Sequence, residues 1–250
     1  MVPLVLALAV SAAPPPAVDA WARQVCPPSK KEARSNAEFK VQQAERVACL
    51  ERAMNQAVDK VLRPLQKKEP GTFRQWVALQ SDYHQWASEA CAAVEEALWI
   101  NTRTGEHSMG TAYGSTEREC LQGQYAWRGF FAETWSRGDW KTLASVLERY
   151  AQGLPRRRDA LAQYRQRAAE AAGRAPAKVE RMDSPSRKLT QDEWARYSSR
   201  LNRVANAPPR LAERQCALLP KAKPSCPELL LPAFMEHLDF HEALGVSEER

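Results

Sequence analysis

Three groups of residues in this chain have chemistry to offer: six cysteines, four histidines and an arginine cluster. Cys26, Cys49, Cys91, Cys120, Cys216 and Cys226 are even in number, and no two form a C-x-x-C pair. That spacing speaks against a zinc ribbon or a thioredoxin-like centre and for three structural disulfides. His237 and His241 stand four apart, with Glu236, Asp239 and Glu242 beside them. Two imidazoles on one helical face are half of a zinc site. Leu238, however, occupies the position where a metalloprotease helix needs glutamate, and no third ligand is evident. The segment therefore reads as a solvated terminal helix, with no metal or other cofactor. His84 and His107 are isolated, no Ser/His/Asp ordering exists, and no enzyme is expected.

Two stretches suit binding rather than catalysis. Arg156, Arg157 and Arg158 open a segment, to Arg214, with 15 Lys/Arg against 7 Asp/Glu. Such a patch could hold an anionic surface polymer, although a solvated face with i, i+4 pairs is the commoner reason for such a run. Glu106, His107 and Met109 lie in a glycine-containing stretch, Asn101 to Ser115, and loops on a rigid scaffold commonly carry recognition.

Compartment follows from the first residues. Val2 to Val10 is apolar and too short to span a bilayer, and Ser11-Ala12-Ala13 and three prolines follow. This is the pattern of an export leader, residues 1–20, with Val18 and Ala20 as the small-x-small pair. Export, periplasmic or secreted, agrees with disulfides and excludes nucleic acid as a partner. No run is long enough for a transmembrane segment.

The elements that position these residues read as helices. The 250 residues carry a net charge of +6 and only 10 glycines, which disfavours hairpin-rich sheets. From Val47, apolar residues fall at 50, 54, 57, 61 and 65, one helical face. Pro64 is expected to kink or end that helix near Leu62. A second helix is predicted from Phe73 to Trp99, with Trp76, Tyr83, Ala87, Ala90 and Val94 inward. A third runs from Thr116 to Trp135. A fourth reaches Gln152, closed by Gly153, and Pro155 opens a fifth through Ala172. Gly173 to Lys188 reads as a linker, and shorter helices follow at 191–205, 209–219 and 227–244. Ser35-x-x-Glu38, Thr72-x-x-Gln75, Thr116-x-x-Glu119 and Thr190-x-x-Glu193 match the capping box. No strand is predicted. The fold class is all-α: a disulfide-stapled helical hairpin or bundle with a C-terminal helical extension.

Helix geometry sorts the cysteines. Cys91 and Cys120 are level across the second loop. Cys49 points about 120° from its helix's apolar face, at ~100° per residue, and so away from the second helix. The expected pairs are Cys26–Cys49, Cys91–Cys120 and Cys216–Cys226.

Residues 42–49 (QQAERVAC) resemble the "TQ-x-EMN-x-C" opening of the LprI-like lysozyme-inhibitor family. Trp76 to Cys91 (WVALQSDYHQWASEAC) is similar to that family's aromatic helix, with Gln80 and Cys91 in place and Tyr83 and Trp86 keeping its aromatic character. Gly110-Thr111 resembles the family's Gly-Gly-Ser/Thr loop, and Cys120 its fourth cysteine. The resemblance covers about Cys26 to Trp135. It implies a helical domain over 21–137, a structural role for Gln80 and Trp86, an envelope location, and a lysozyme-type muramidase or another envelope protein as partner. Residues 138–250 would be the extension, linked near 173–188. The alternative is a disulfide-stapled adaptor that binds anionic surface polymers through the Arg-rich half.

Overall fold

A computed structural model describes residues 16–178, 186–218 and 226–240. Helices α1 (Pro16–Val25), α2 (Asn36–Lys68), α3 (Pro70–Trp99), α4 (Ser115–Arg137), α5 (Trp140–Ala172), α6 (Gln191–Ala217) and α7 (Cys226–Met235) account for most of it. The protein is an all-α, disulfide-stapled bundle. The disulfides are Cys26–Cys49, Cys91–Cys120 and Cys216–Cys226, the expected pairs. The face expected on α2 is the one that packs: Leu50, Met54, Ala57 and Val61 are buried. So are Trp76, Tyr83, Ala87, Ala90 and Val94 of α3.

Proline does not end these helices. Pro64 lies inside α2, Pro155 inside α5, and Pro208 and Pro209 inside α6. Each proline removes one i→i−4 donor. For Pro64 and Pro155 the freed carbonyls belong to Lys60 and Ala151, both on exposed residues that water reaches. On either side of Pro155 the inward stripe continues without a break: Leu143, Val146, Leu147 and Tyr150, then Ala160, Leu161, Tyr164 and Ala168. Packing along an unbroken stripe outweighs one missing bond. Gly153 is therefore a helix-interior residue and not a cap. A Cβ built there would stand 2.2 Å from Nη1 of Arg157, so a larger residue would have to displace that guanidinium.

Short strands replace what looked like loop and linker. β1 (Ile100–Asn101), β2 (Glu106–Ser108) and β3 (Ser186–Lys188) form an antiparallel sheet in the order β1-β2-β3. The strand β3 comes from the predicted linker, so that segment (its residues 179–185 lie outside the description) is joined to the fold by main-chain pairing. The strands are too short to show an alternating pattern, which hid them.

The expected boundary near residue 137 does not separate two cores. One apolar cluster runs from Val18 to Phe240. Across it, α3 carries Asp82, Glu89 and Glu96 seven residues apart, on one face. Antiparallel to it, α6 answers with arginines. Arg200 meets Glu96 at 2.7 Å, Arg203 meets Glu89 at 2.9 Å, and Arg214 pairs with Asp82. These pairs are exposed enough to contribute little stability, but they fix how α6 lies along α3. Much of the Arg-rich half is thus spent on docking inside the molecule. The predicted processing point after Ala20 falls within α1, whose Val18 is 1% exposed.

Candidate functional site

The segment between α3 and α4 is built as a hairpin with an exposed tip. Asn101 turns it, its Oδ1 accepting from the backbone N–H groups of Arg103 (2.9 Å) and Thr104 (3.3 Å). Gly105 takes φ 74°, the left-handed conformation that favours glycine. Ile100 then pairs with His107, and His107 with Arg187 of β3.

Beyond β2 the chain turns into α4, and a buried carboxylate holds that turn. Glu95 of α3 is 1% exposed. Its Oε1 accepts from Trp99 Nε1 (2.6 Å) and from the Gly114 N–H (2.8 Å), and its Oε2 from the Glu117 N–H (2.9 Å). Gly114 is the N-cap of α4. Glu95 therefore caps α4 from another helix, satisfying orphan donors and opposing the helix dipole. The capping box predicted from Thr116 and Glu119 does not form, because the N-cap is Gly114 and Thr116 already lies inside the helix; Glu119 accepts from Gln43 Nε2 at 3.1 Å. Burial and the adjacent Glu95 together raise the Glu117 carboxyl above the usual carboxylate range. A third tie comes from α2: Asn36 Nδ2 donates to the Thr111 carbonyl at 2.6 Å.

These ties leave Met109, just past β2 on the way into α4, 63% exposed. Phe39, one turn along α2 from Asn36, is 42% exposed. Glu106 and His107 are half-buried. His107 faces a cavity of 230 Å³ lined also by Glu96, Arg187, Glu193, Arg196 and Arg200. Burial lowers its pKa, Glu96 and Glu193 counter that, and Arg187 adds to it. Within the cavity wall Arg187 forks onto Glu193 at 2.5 and 2.7 Å. Glu193 also closes the capping box with Thr190 and is held down to about 2, chiefly by Arg187.

The arginine cluster divides. Arg156 and Arg158 are exposed. Arg157 is buried against Glu236, 2.6 Å away, with Asp239 at 4.0 Å. It is a core ion pair, unavailable to a polymer, which corrects its reading as a surface cation. The solvated terminal helix is corrected too. Helix α7 ends at Met235, and Glu236, Leu238 and Phe240 are buried. The ring of His237 sits against Gly123 of α4, and burial, with Arg157 nearby, lowers its pKa to about 4. His241 lies outside the described residues. Among the described residues, no group of three His, Cys, Asp or Glu side chains could hold a metal ion.

Gln80 and Trp86 both make hydrogen bonds within the bundle. Gln80 Oε1 accepts from Nε of Arg128, on α4, at 2.9 Å. Arg128 is 2% exposed. Its Nη1 donates to Gln215 Oε1 at 2.6 Å, and the rings of Trp76, Tyr83 and Phe131 lie within 5.0 to 5.6 Å of its guanidinium. Aromatic faces and amide oxygens stand in for a carboxylate. Burial draws the group down to about 10, which leaves it charged at neutral pH. Nothing in the helical spacing marked Arg128 or Glu95. A charged residue at an inward-facing position was the available signal, and both show it.

The class defined by this architecture is a disulfide-stapled all-α scaffold that presents a short braced hairpin. Compared with protein-family models, curated proteins and solved structures, the chain matches none. No helix among the described residues is long and apolar enough to cross a membrane.

Proposed function

We propose that this is a non-enzymatic, exported envelope protein that binds and inhibits a lysozyme-type muramidase through the 101–115 segment. The observation that carries the reading is the bracing of that segment. A third strand, the Glu95 carboxylate and Asn36 hold it, while Met109 stays exposed. A pre-ordered segment loses little entropy on docking. Three disulfides support export, and the motif resemblance supports the target class. The polymer reading is weaker on this geometry, because Arg157, Arg200, Arg203 and Arg214 are already paired.

The test is clearance of a bacterial cell-wall suspension by lysozyme, followed by turbidity. The whole chain is used, because β3 completes the sheet. Added protein should slow clearance at moderate salt. The triple change Glu106→Ala, His107→Ala and Met109→Ala should abolish the effect with the melting temperature unchanged, whereas Arg156→Ser with Arg158→Ser should leave it intact. No slowing at large molar excess, across lysozymes of several types, would sink the proposal.

A further inference from the structure

We infer that the cavity where β2, β3, α3 and α6 meet is a binding site for a single carboxylate carried on a short apolar chain. The site stands by itself and does not depend on what the neighbouring 101–115 segment docks against.

Charge is the first observation. Arg187, Arg196 and Arg200 share the cavity wall with Glu96 and Glu193. Both carboxylates are already engaged. Glu193 takes the Arg187 fork and closes the cap with Thr190, and Glu96 Oε1 accepts from Arg200 Nη1 at 2.7 Å. Arg196 is exposed and, among the described residues, has no ion pair or hydrogen bond. Burial lowers the His107 pKa, so the ring is neutral at pH 7. The wall thus holds one positive charge in excess, and that charge sits on a guanidinium whose fork matches a carboxylate. A monoanion balances it. A phosphate near its second ionisation brings more negative charge than the wall can offset.

Shape and an orphaned atom are the second and third. Ile100, Leu189 and Tyr197, which complete the wall, are buried. The Tyr197 hydroxyl is already committed to the Ala93 carbonyl at 3.0 Å, so its ring offers an apolar face. At 230 Å³ the cavity is smaller than those that take drug-sized ligands, and it suits a carboxylate with a few methylenes. Nε2 of His107 is buried and has no hydrogen-bond partner. A buried polar atom left unpaired calls for a partner that the chain does not supply. Sheet register holds His107 opposite Arg187, so the wall is set by backbone pairing as well as by side chains. In the bound state Arg196 donates to the carboxylate, and the methylenes lie on Ile100, Leu189 and the Tyr197 ring.

NMR of the whole isotope-labelled chain at pH 7 tests this, with sodium pentanoate replacing sodium chloride at constant ionic strength. The His107 ring, the Arg196 side-chain N–H and the Leu189 methyls should shift together and saturate. The His107 pKa should rise, because a new negative charge joins Glu96 and Glu193 against Arg187, Arg196 and Arg200. Pentanoate should bind more tightly than acetate, by up to about fourfold for each methylene that is buried. Arg196→Gln should weaken binding about tenfold, the worth of a charge-assisted hydrogen bond, with the rest of the spectrum unchanged, whereas Arg156→Gln should not. Glutamate blocked at both ends (N-acetyl, C-amide) carries the same carboxylate on a side chain. Tighter binding than pentanoate would make the ligand an acidic residue of a docked protein, and weaker binding would make it a free acid; either upholds the site. Shifts that do not saturate, acetate binding as tightly as pentanoate, phosphate binding more tightly than pentanoate, or an Arg196→Gln variant that binds like the parent would each overturn the inference.

Discussion

Trp86 of α3 donates its indole N–H to the carbonyl of Val204 in α6, 3.3 Å away. That carbonyl is the one that Pro208, four residues on, leaves without a helical donor. Val204 is buried, so water cannot take the donor's place. A side chain of one helix thus repairs the backbone of another, and α6 runs on through two prolines.

The repair can be isolated by a double-mutant cycle. Trp86→Phe keeps a ring and removes the donor, leaving a buried carbonyl unpaired at a cost of about 1–3 kcal/mol. Pro208→Ala returns the backbone N–H to Val204. In that background Trp86→Phe should cost clearly less, by urea denaturation. Equal costs in the two backgrounds would show that the indole is not repairing the helix.

Glu95→Gln should loosen the tip without unfolding the bundle. The amide offers one acceptor where the carboxylate serves three donors, and it turns an N–H toward another. Hydrogen exchange at Gly114 and Glu117 should accelerate, with peptides from α5 unchanged. If the tip is the contact surface, inhibition should weaken in step.

The His237 imidazole, lowered to about 4 by burial, makes stability depend on acid. The folded state favours the neutral ring, so the unfolded chain takes up a proton first, near 6.5. The stabilisation is whole above about pH 6.5 and is lost as pH falls toward 4. Burial shifts the neighbouring Glu236 carboxyl the other way, upward, which opposes this trend as pH rises. The comparison is therefore between His237→Gln and the parent protein, each unfolded in urea from pH 7 to pH 4. The variant should lose less stability over that range.

Cys91→Ala with Cys120→Ala opens a loop of 29 residues. Chain entropy alone gives a loss of about 3–4 kcal/mol. Thiol titration of the parent protein should find no free cysteine, and the variant should melt lower with its helical circular dichroism retained. A melting temperature equal to the parent's would mean that the link is not formed.

Period and cysteine placement made much of this fold legible. The stripe from Leu50 to Val61 and the inward face of α3 were readable because helical spacing repeats over many turns. The Cys49 direction followed from the same spacing. Pro64, Pro155 and Pro208 misled because a local rule about one hydrogen bond was applied where long-range packing decides. The strand β3 was invisible because three residues carry no period and their pairing partner lies about 80 residues earlier. In the 101–115 segment, Met109 and His107 could be nominated, but Glu95, which holds the turn from that segment into α4, acts from another helix.

The ladder between α3 and α6 also bears on how the molecule comes together in time. Arg214 reaches Asp82 across 132 residues, and Arg200 reaches Glu96 across 104. Helices form within microseconds, but these contacts wait for the chain to close far larger loops, and non-local topology of this kind slows folding. A chain that emerges amino end first therefore carries Asp82, Glu89 and Glu96 as an unanswered acidic edge until α6 arrives. The docking of α6 is the step at which the tip gains its third strand, so binding competence is acquired late, after the helices have formed.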